Sequence, residues 1–308
     1  MFAGGAERPR ICCAGEAMVE FIPQPNLAEY AQSFGGDSLN TAVYLARLDC
    51  AVQYLTIVGD DGFSGALLAL LDAEEIDRSR VIRRDHATLG LYVIKNDEQG
   101  ERSFTYWRDT SPARGLFDAA VSCDGIDVFY FTGITVAVCL SGLVNLLDLL
   151  RALRGQGVRI AFDPNYREAL WRDSRQAQEA MGHVLPLCDL VMPTLDDMRA
   201  LYDCETAPEC EKLLRGHRVR EIVVKGGDGR VNVLVDAANY SGQATMQAAI
   251  DTTGAGDAFN AGYLAGRSRG LTVDDCIAMG HATAAQVVLH PGAIVPKEGF
   301  TMRINQDD

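Results

Sequence analysis

Asp251-Thr252-Thr253-Gly254-Ala255-Gly256-Asp257-Ala258-Phe259 is the stretch that decides how the rest of the chain is read. Two glycines bracket a small residue, and an acid follows at once. Ala258, Phe259, Ala261, Leu264 and Ala265 then recur at helical spacing, and Arg267, Arg269 and Gly270 mark the far end of the helix they predict. A glycine turn feeding a helix N-terminus offers open backbone N–H groups and a helix dipole to an anion. Glycine also lets the backbone approach a ligand closely. A carboxylate beside such an anion hole points to phosphoryl transfer, with Gly254, Ala255 and Gly256 holding the phosphate and Asp257 taking the proton of the attacking hydroxyl. Taken alone, Gly-x-Gly is a weak signal, and an acid in a first turn often only complements the dipole. A dinucleotide fingerprint wants a third glycine where Phe259 stands, and the Gly-Lys-Ser/Thr of a P-loop is absent from the chain.

Composition narrows the classes. At 308 residues the chain suits one large α/β domain with a small appendage. Hydrophobic residues make up 48% with no tract approaching the ~18 apolar residues of a membrane span, which predicts a well-cored, soluble protein without a membrane partner. Residues 1–10 lack the apolar core of a signal peptide and read as a ragged leader. The nine cysteines are scattered, Cys12 and Cys13 are adjacent, and no Cys-x-x-Cys occurs. That pattern reads as buried thiols in a reducing cytoplasm rather than a zinc site. A net charge of −14 argues against nucleic acid. An anion-binding protein this acidic must gather cations at its site, from helix N-termini, selected Arg and Lys, and Mg²⁺.

Along the chain, Ile11–Ile22 is β-prone and broken at Gly15-Glu16. Gly35-Gly36-Asp37 then leads into a helix through Asn40, either as an N-cap or as a second ligand-binding turn. Val52–Val58, a helix over Phe63–Leu71, Val128–Gly133, a helix over Leu140–Leu153, Val158–Phe162 and Leu187–Met192 continue a β–α alternation, which implies a parallel sheet with helices on both faces. Leu89–Lys95 and Arg102–Trp107 flank the polar turn 96–100 as a hairpin, an appended sheet suited to a lid carrying Tyr92, Tyr106 and Arg108. Asp163, Asn165 and Arg167 fall just past a strand C-terminus, where open α/β sheets bind ligands. Thr194 and Asp197 fit a capping box variant. Glu221–Lys225 runs into Gly226-Gly227-Asp228-Gly229, either a nucleotide-phosphate loop or a hairpin turn, and Val231–Val235 and Gln243–Ala249 read as strands. Thr272 and Asp275 form a capping box for a last helix.

The 251–259 run, together with Gly35-Gly36-x-x-x-Asn40, resembles the two signatures of the ribokinase-like (PfkB-type) carbohydrate kinases. Phe34–Thr41, Gly90-Leu91-Tyr92, Gly100–Arg108, Asn165-Tyr166-Arg167 with Leu170-Trp171, and Thr194–Asp197 are similar to the branch of bacterial 2-keto-3-deoxygluconate kinases. The resemblance runs from Ile11 to about Pro296. It implies one kinase domain over residues 11–304 with a three-layer α/β/α fold, a mostly parallel central sheet, and a small β-sheet lid drawn from about 16–34 and 88–112 that often serves in dimerisation. It implies ATP as phosphate donor, Mg²⁺, room for a monovalent cation, and a sugar acid that becomes an Entner–Doudoroff intermediate.

The resemblance also distributes roles. Asp257 is the base, and Gly254, Ala255 and Gly256 form the anion hole. Gly35, Gly36, Asp37, Asn40, Tyr92 and Tyr106 line the sugar, and Arg108 and Arg167 meet its carboxylate, for which arginine's two-pronged donor geometry is suited. Asn165, Thr194, Lys225, Gly227 and Gly229 join Gly254 and Gly256 at the nucleotide. Most members carry Asn-x-x-Glu where this chain has Thr194 and Asp197, so Asp197 becomes a metal contact made through water. An Asp base in this chemistry needs no raised pKa. The alternatives are a neutral-sugar kinase such as a fructokinase, for which the two arginines have no carboxylate partner, and a non-catalytic sugar-binding protein, which has no use for an intact Asp257.

Overall fold

A computed structural model describes residues 8–24, 29–96, 102–245 and 247–302. The turn 96–100 lies outside the described residues apart from its first, and so do positions 303–304 of the expected domain. The strands are β1 (Arg10–Ala14), β2 (Met18–Pro23), β3 (Tyr30–Gly35), β4 (Ala51–Val58), β5 (Val81–Arg83), β6 (Leu91–Asn96), β7 (Arg102–Trp107), β8 (Val128–Thr132), β9 (Arg159–Asp163), β10 (Leu190–Val191), β11 (Glu221–Lys225), β12 (Arg230–Val235) and β13 (Ala238–Gln243). The helices are α1 (Asp37–Arg47), α2 (Gly62–Ala73), α3 (Gly133–Val138), α4 (Leu143–Gly155), α5 (Ser174–Val184), α6 (Leu195–Tyr202), α7 (Ala207–Gly216), α8 (Ala255–Ser268) and α9 (Val273–Val287).

The large sheet has the order β13-β12-β11-β10-β9-β8-β1-β4-β5. It is parallel from β5 to β11 and antiparallel in its last two pairings. Side chains alternate across each strand, so β1 sends Ile11 and Cys13 into one core and Cys12 and Ala14 into the other. That explains how two adjacent cysteines are both buried without sharing a site. All nine cysteines are buried and free. The order reverses between β1 and β8, which puts the topological switch point of the sheet at the C-terminal ends of those strands. The small sheet, β3-β2-β6-β7, springs from the Gly15-Glu16 break and stands over that end as the lid.

Several boundaries differ from the sequence reading. β1 opens at Arg10, inside the expected leader, because the Arg10 N–H and guanidinium both bond Asp127. The strand expected over Leu187–Met192 shrinks to two residues, since Leu185–Leu187, with Pro186 in it, is a 3₁₀ turn. The helix expected from Leu140 starts at Leu143 after another such turn. The last strand is Ala238–Gln243 rather than Gln243–Ala249; its side chains are largely exposed, so no hydrophobic alternation marks it.

Candidate active site

α8 begins where the glycine turn requires it. Gly254 caps the helix at φ 78°, a left-handed conformation costly for any other residue. A Cβ there would also sit 2.9 Å from the Ala293 carbonyl oxygen, which the Tyr44 hydroxyl holds at 2.6 Å. Ala293 is therefore part of the buried support of the turn. Ala255 N–H folds back to the Thr252 carbonyl at 3.2 Å, while Gly256 and Asp257 belong to the open first turn. Gly256 presents bare backbone to the cleft, with only the Lys225 ammonium near its missing side chain, at 4.0 Å.

Asp257 projects from that turn into a cleft of about 1080 Å³ lined by the C-terminal ends of the sheet, the lid and α8. Asn40 of α1 donates to its Oδ2 at 2.8 Å. Burial and the negative charges of Asp37 and Asp163 push its carboxyl up to about 8, against the opposing Asn40 hydrogen bond and Lys225 charge. The sequence reading asked for no such shift; the fold produces one because it buries the acid and sets two more beside it. Asp37 accepts the Asn165 amide at 2.8 Å and is itself pushed up, first by burial. Asp163 accepts from Lys225 Nζ at 2.9 Å and from Asn260 Nδ2 at 2.6 Å. Asp197 is also raised, by burial and then by Asp163.

The other expected residues divide. Gly36, Asp37, Asn40, Tyr92, Tyr106, Arg108, Asn165, Arg167, Thr194, Asp197, Lys225, Gly254, Gly256 and Asp257 share this one cleft. Gly35 stands behind the wall, and its missing side chain leaves the space taken by the Tyr92 hydroxyl, 2.2 Å from where a Cβ would lie. That hydroxyl donates to Glu20 at 2.8 Å, so Tyr92 builds the wall with its ring rather than its OH. Gly227 and Gly229 lie in the turn between β11 and β12, where Gly226 N–H bonds the Arg230 carbonyl at 2.7 Å, and do not line the cleft. Lys225 reaches the cleft already bonded to Asp163 and Asn260. Thr194 caps α6 by accepting the Asp197 N–H at 3.0 Å, which aims Asp197 into the cleft.

The sequence reading missed Asn260 and Glu16. Asn260 lies three residues beyond Asp257 and ties Lys225, Asp163 and Tyr130 together beneath it, a position the i, i+3 spacing could have revealed. Glu16 is buried at the β1–β2 break and pairs with Arg108. Arg167, by contrast, has a side chain 55% exposed and meets Asp197 only at 3.4 Å, which leaves it available to a ligand.

A glycine-capped helix N-terminus and a crowded carboxylate meet at the switch point of a parallel sheet, under a β lid, as expected for a sugar phosphotransferase. The model of the pfkB family carbohydrate kinases matches residues 8–298, and the chain belongs to that family. It is similar to the 2-dehydro-3-deoxygluconokinase of Escherichia coli K12, 36% identical over 94% of this chain and 98% of that protein. The enzyme of the same name from Dickeya dadantii is 35% identical, with the same coverage. The crystal structure of the Thermotoga maritima 2-dehydro-3-deoxygluconokinase superposes with a TM-score of 0.83 at 19% identity, covering 94% of this chain and 95% of that one, a likeness of fold. No helix among the described residues is long and apolar enough to cross a membrane.

Proposed function

We propose that the chain moves the γ-phosphate of ATP onto the terminal hydroxyl of 2-keto-3-deoxygluconate, giving 2-keto-3-deoxy-6-phosphogluconate for Entner–Doudoroff-type sugar-acid catabolism in the cytoplasm. The observation that carries this reading is that Asp257, at the open end of α8, and Arg167, a half-exposed cation held by a 3.4 Å contact to Asp197 and a 2.9 Å bond to the Tyr166 carbonyl, line one cleft. The names of the relatives point to the same substrate. The aromatic wall of Tyr92, Tyr106 and Phe104 borders the sugar, with ring centroids 5.6–6.2 Å apart. Asp37, steadied by the Asn165 amide at 2.8 Å, supplies hydroxyl contacts.

Asp257 accepts the hydroxyl proton as the new bond forms, and the Gly256 and Asp257 N–H groups steady the charge of the incoming phosphate. Mg²⁺ supplies further neutralisation when bound with the nucleotide. Among the described residues no group of three acids, histidines or cysteines is placed to cage a metal. The ion would be carried by phosphates and water, with Asp197 as the outer contact. Exposed Tyr30 and Trp107 on the lid offer apolar surface to a second copy of the chain, a homo-oligomer that light scattering would detect.

Arg167→Ala tests the substrate. Its KM for 2-keto-3-deoxygluconate should rise about tenfold or more, the worth of a charged hydrogen bond, while the KM for fructose moves less than twofold. Equal losses for both would favour a neutral acceptor.

A further inference from the structure

Arg108 is the cation expected to share the substrate carboxylate with Arg167, yet the fold already answers its charge. Its Nη2 donates to Glu16 Oε2, and both side chains are buried. Its guanidinium lies over the Tyr106 ring at 5.6 Å. Its Nε and the second oxygen of Glu16 are both buried without hydrogen-bond partners. Gly90 makes the approach possible, because a Cβ there would lie 3.1 Å from Glu16 Oε1 and 3.4 Å from Arg108 Cβ. Glu16 and Arg108 nonetheless both line the cleft. With one Nη2 hydrogen given to Glu16 and Nε buried, Arg108 has Nη1 and the second Nη2 hydrogen to offer, on a group whose charge is already answered.

We infer that Glu16 is a specificity-determining residue: by pairing with Arg108 it masks that residue's charge at the acceptor end of the cleft, so that Arg167 rather than Arg108 selects a carboxylate. The inference rests on the sugar-acid reading above. Its physical content is electrostatic. A carboxylate beside Arg108 repels an acidic acceptor and is indifferent to a neutral one, so Glu16 limits the preference for acids rather than creating it.

Glu16→Gln keeps the shape and an acceptor for Arg108 while removing the charge. Wild type and variant are compared by kcat/KM for 2-keto-3-deoxygluconate and for fructose, and by calorimetric binding of D-gluconate without nucleotide at two salt concentrations. In the variant the acid-to-fructose ratio should rise on the order of fivefold, the effect of one screened charge, and gluconate binding should tighten and become more salt-dependent. Glu16→Asp keeps the charge and should retain the wild-type ratio even where its overall rate falls. An unchanged ratio with both rates lowered would make the pair a structural tie, and a lowered ratio would mean that Glu16 aims Arg108 at the acid; either result overturns the assignment. Failure of the sugar-acid reading itself would show separately, as wild-type protein that phosphorylates fructose and not the keto-acid.

Discussion

The two ends of the large sheet both bury carboxylates, and they treat them in opposite ways. At the N-terminal end Glu221 opens β11 and is 2% exposed. It pairs with Arg159, accepts from Arg267 at 2.8 and 3.0 Å and takes the Tyr263 hydroxyl at 2.7 Å. Burial pushes its carboxyl up, but the Arg267 hydrogen bonds, the Arg159 charge and Tyr263 outweigh it and hold the group below its ordinary value. At the C-terminal end Asp37, Asp197 and Asp257 face each other across the cleft with fewer cations than acids, and burial leaves all three raised. A buried acid supplied with partners is part of the scaffold. A buried acid kept short of them stores free energy that a ligand or a proton can release.

Two substitutions, read in three ways, sharpen or break that contrast. The largest effect belongs to Asp257→Asn, which should lower kcat by about three orders of magnitude while nucleotide binding, measured by calorimetry, stays near wild type. Near-normal turnover would remove the base. Next comes Glu221→Gln, which strands two arginines and should cost about 3 kcal/mol in urea unfolding with little change in KM. Because the folded Glu221 pKa is depressed, its contribution is present above the ordinary carboxyl value of 4.5 and is lost as pH falls through the lower folded value. The last effect is on stability at the other end and has the opposite sign. Asp257 is raised from 3.8 to about 8, so wild type loses stability as pH rises through that window. Asp257→Asn should therefore unfold at a higher temperature than wild type at pH 8, and the gap should close near pH 4.

What was legible in the sequence follows the same division. The Gly254–Asp257 turn is local: its glycines, acid and helix adjoin in the chain, so spacing reveals the turn and the resemblance supplies its role. Asp37 was found through a second glycine turn into a helix, and Asn165 and Arg167 because they follow a strand end, a rule of topology. Glu16 escaped because its partner Arg108 lies 92 residues away and only the lid brings them together. The Gly226–Gly229 loop stayed ambiguous because a lysine followed by glycines describes a hairpin turn as well as a phosphate loop; the β11–β12 pairing establishes the hairpin and does not say what its glycines hold. The raised carboxyl of Asp257 could not be read from neighbours in sequence, since Asp37 and Asp163 arrive from α1 and β9.

The pH dependence of kcat/KM tests most directly whether crowding by acids poises Asp257. Wild type should gain activity as pH rises until about 8, and Asp37→Asn, whatever its absolute rate, should shift that rise to lower pH because one of the repelling charges is gone. A wild-type profile already flat at pH 6, or a rise that Asp37→Asn leaves in place, would contradict the account.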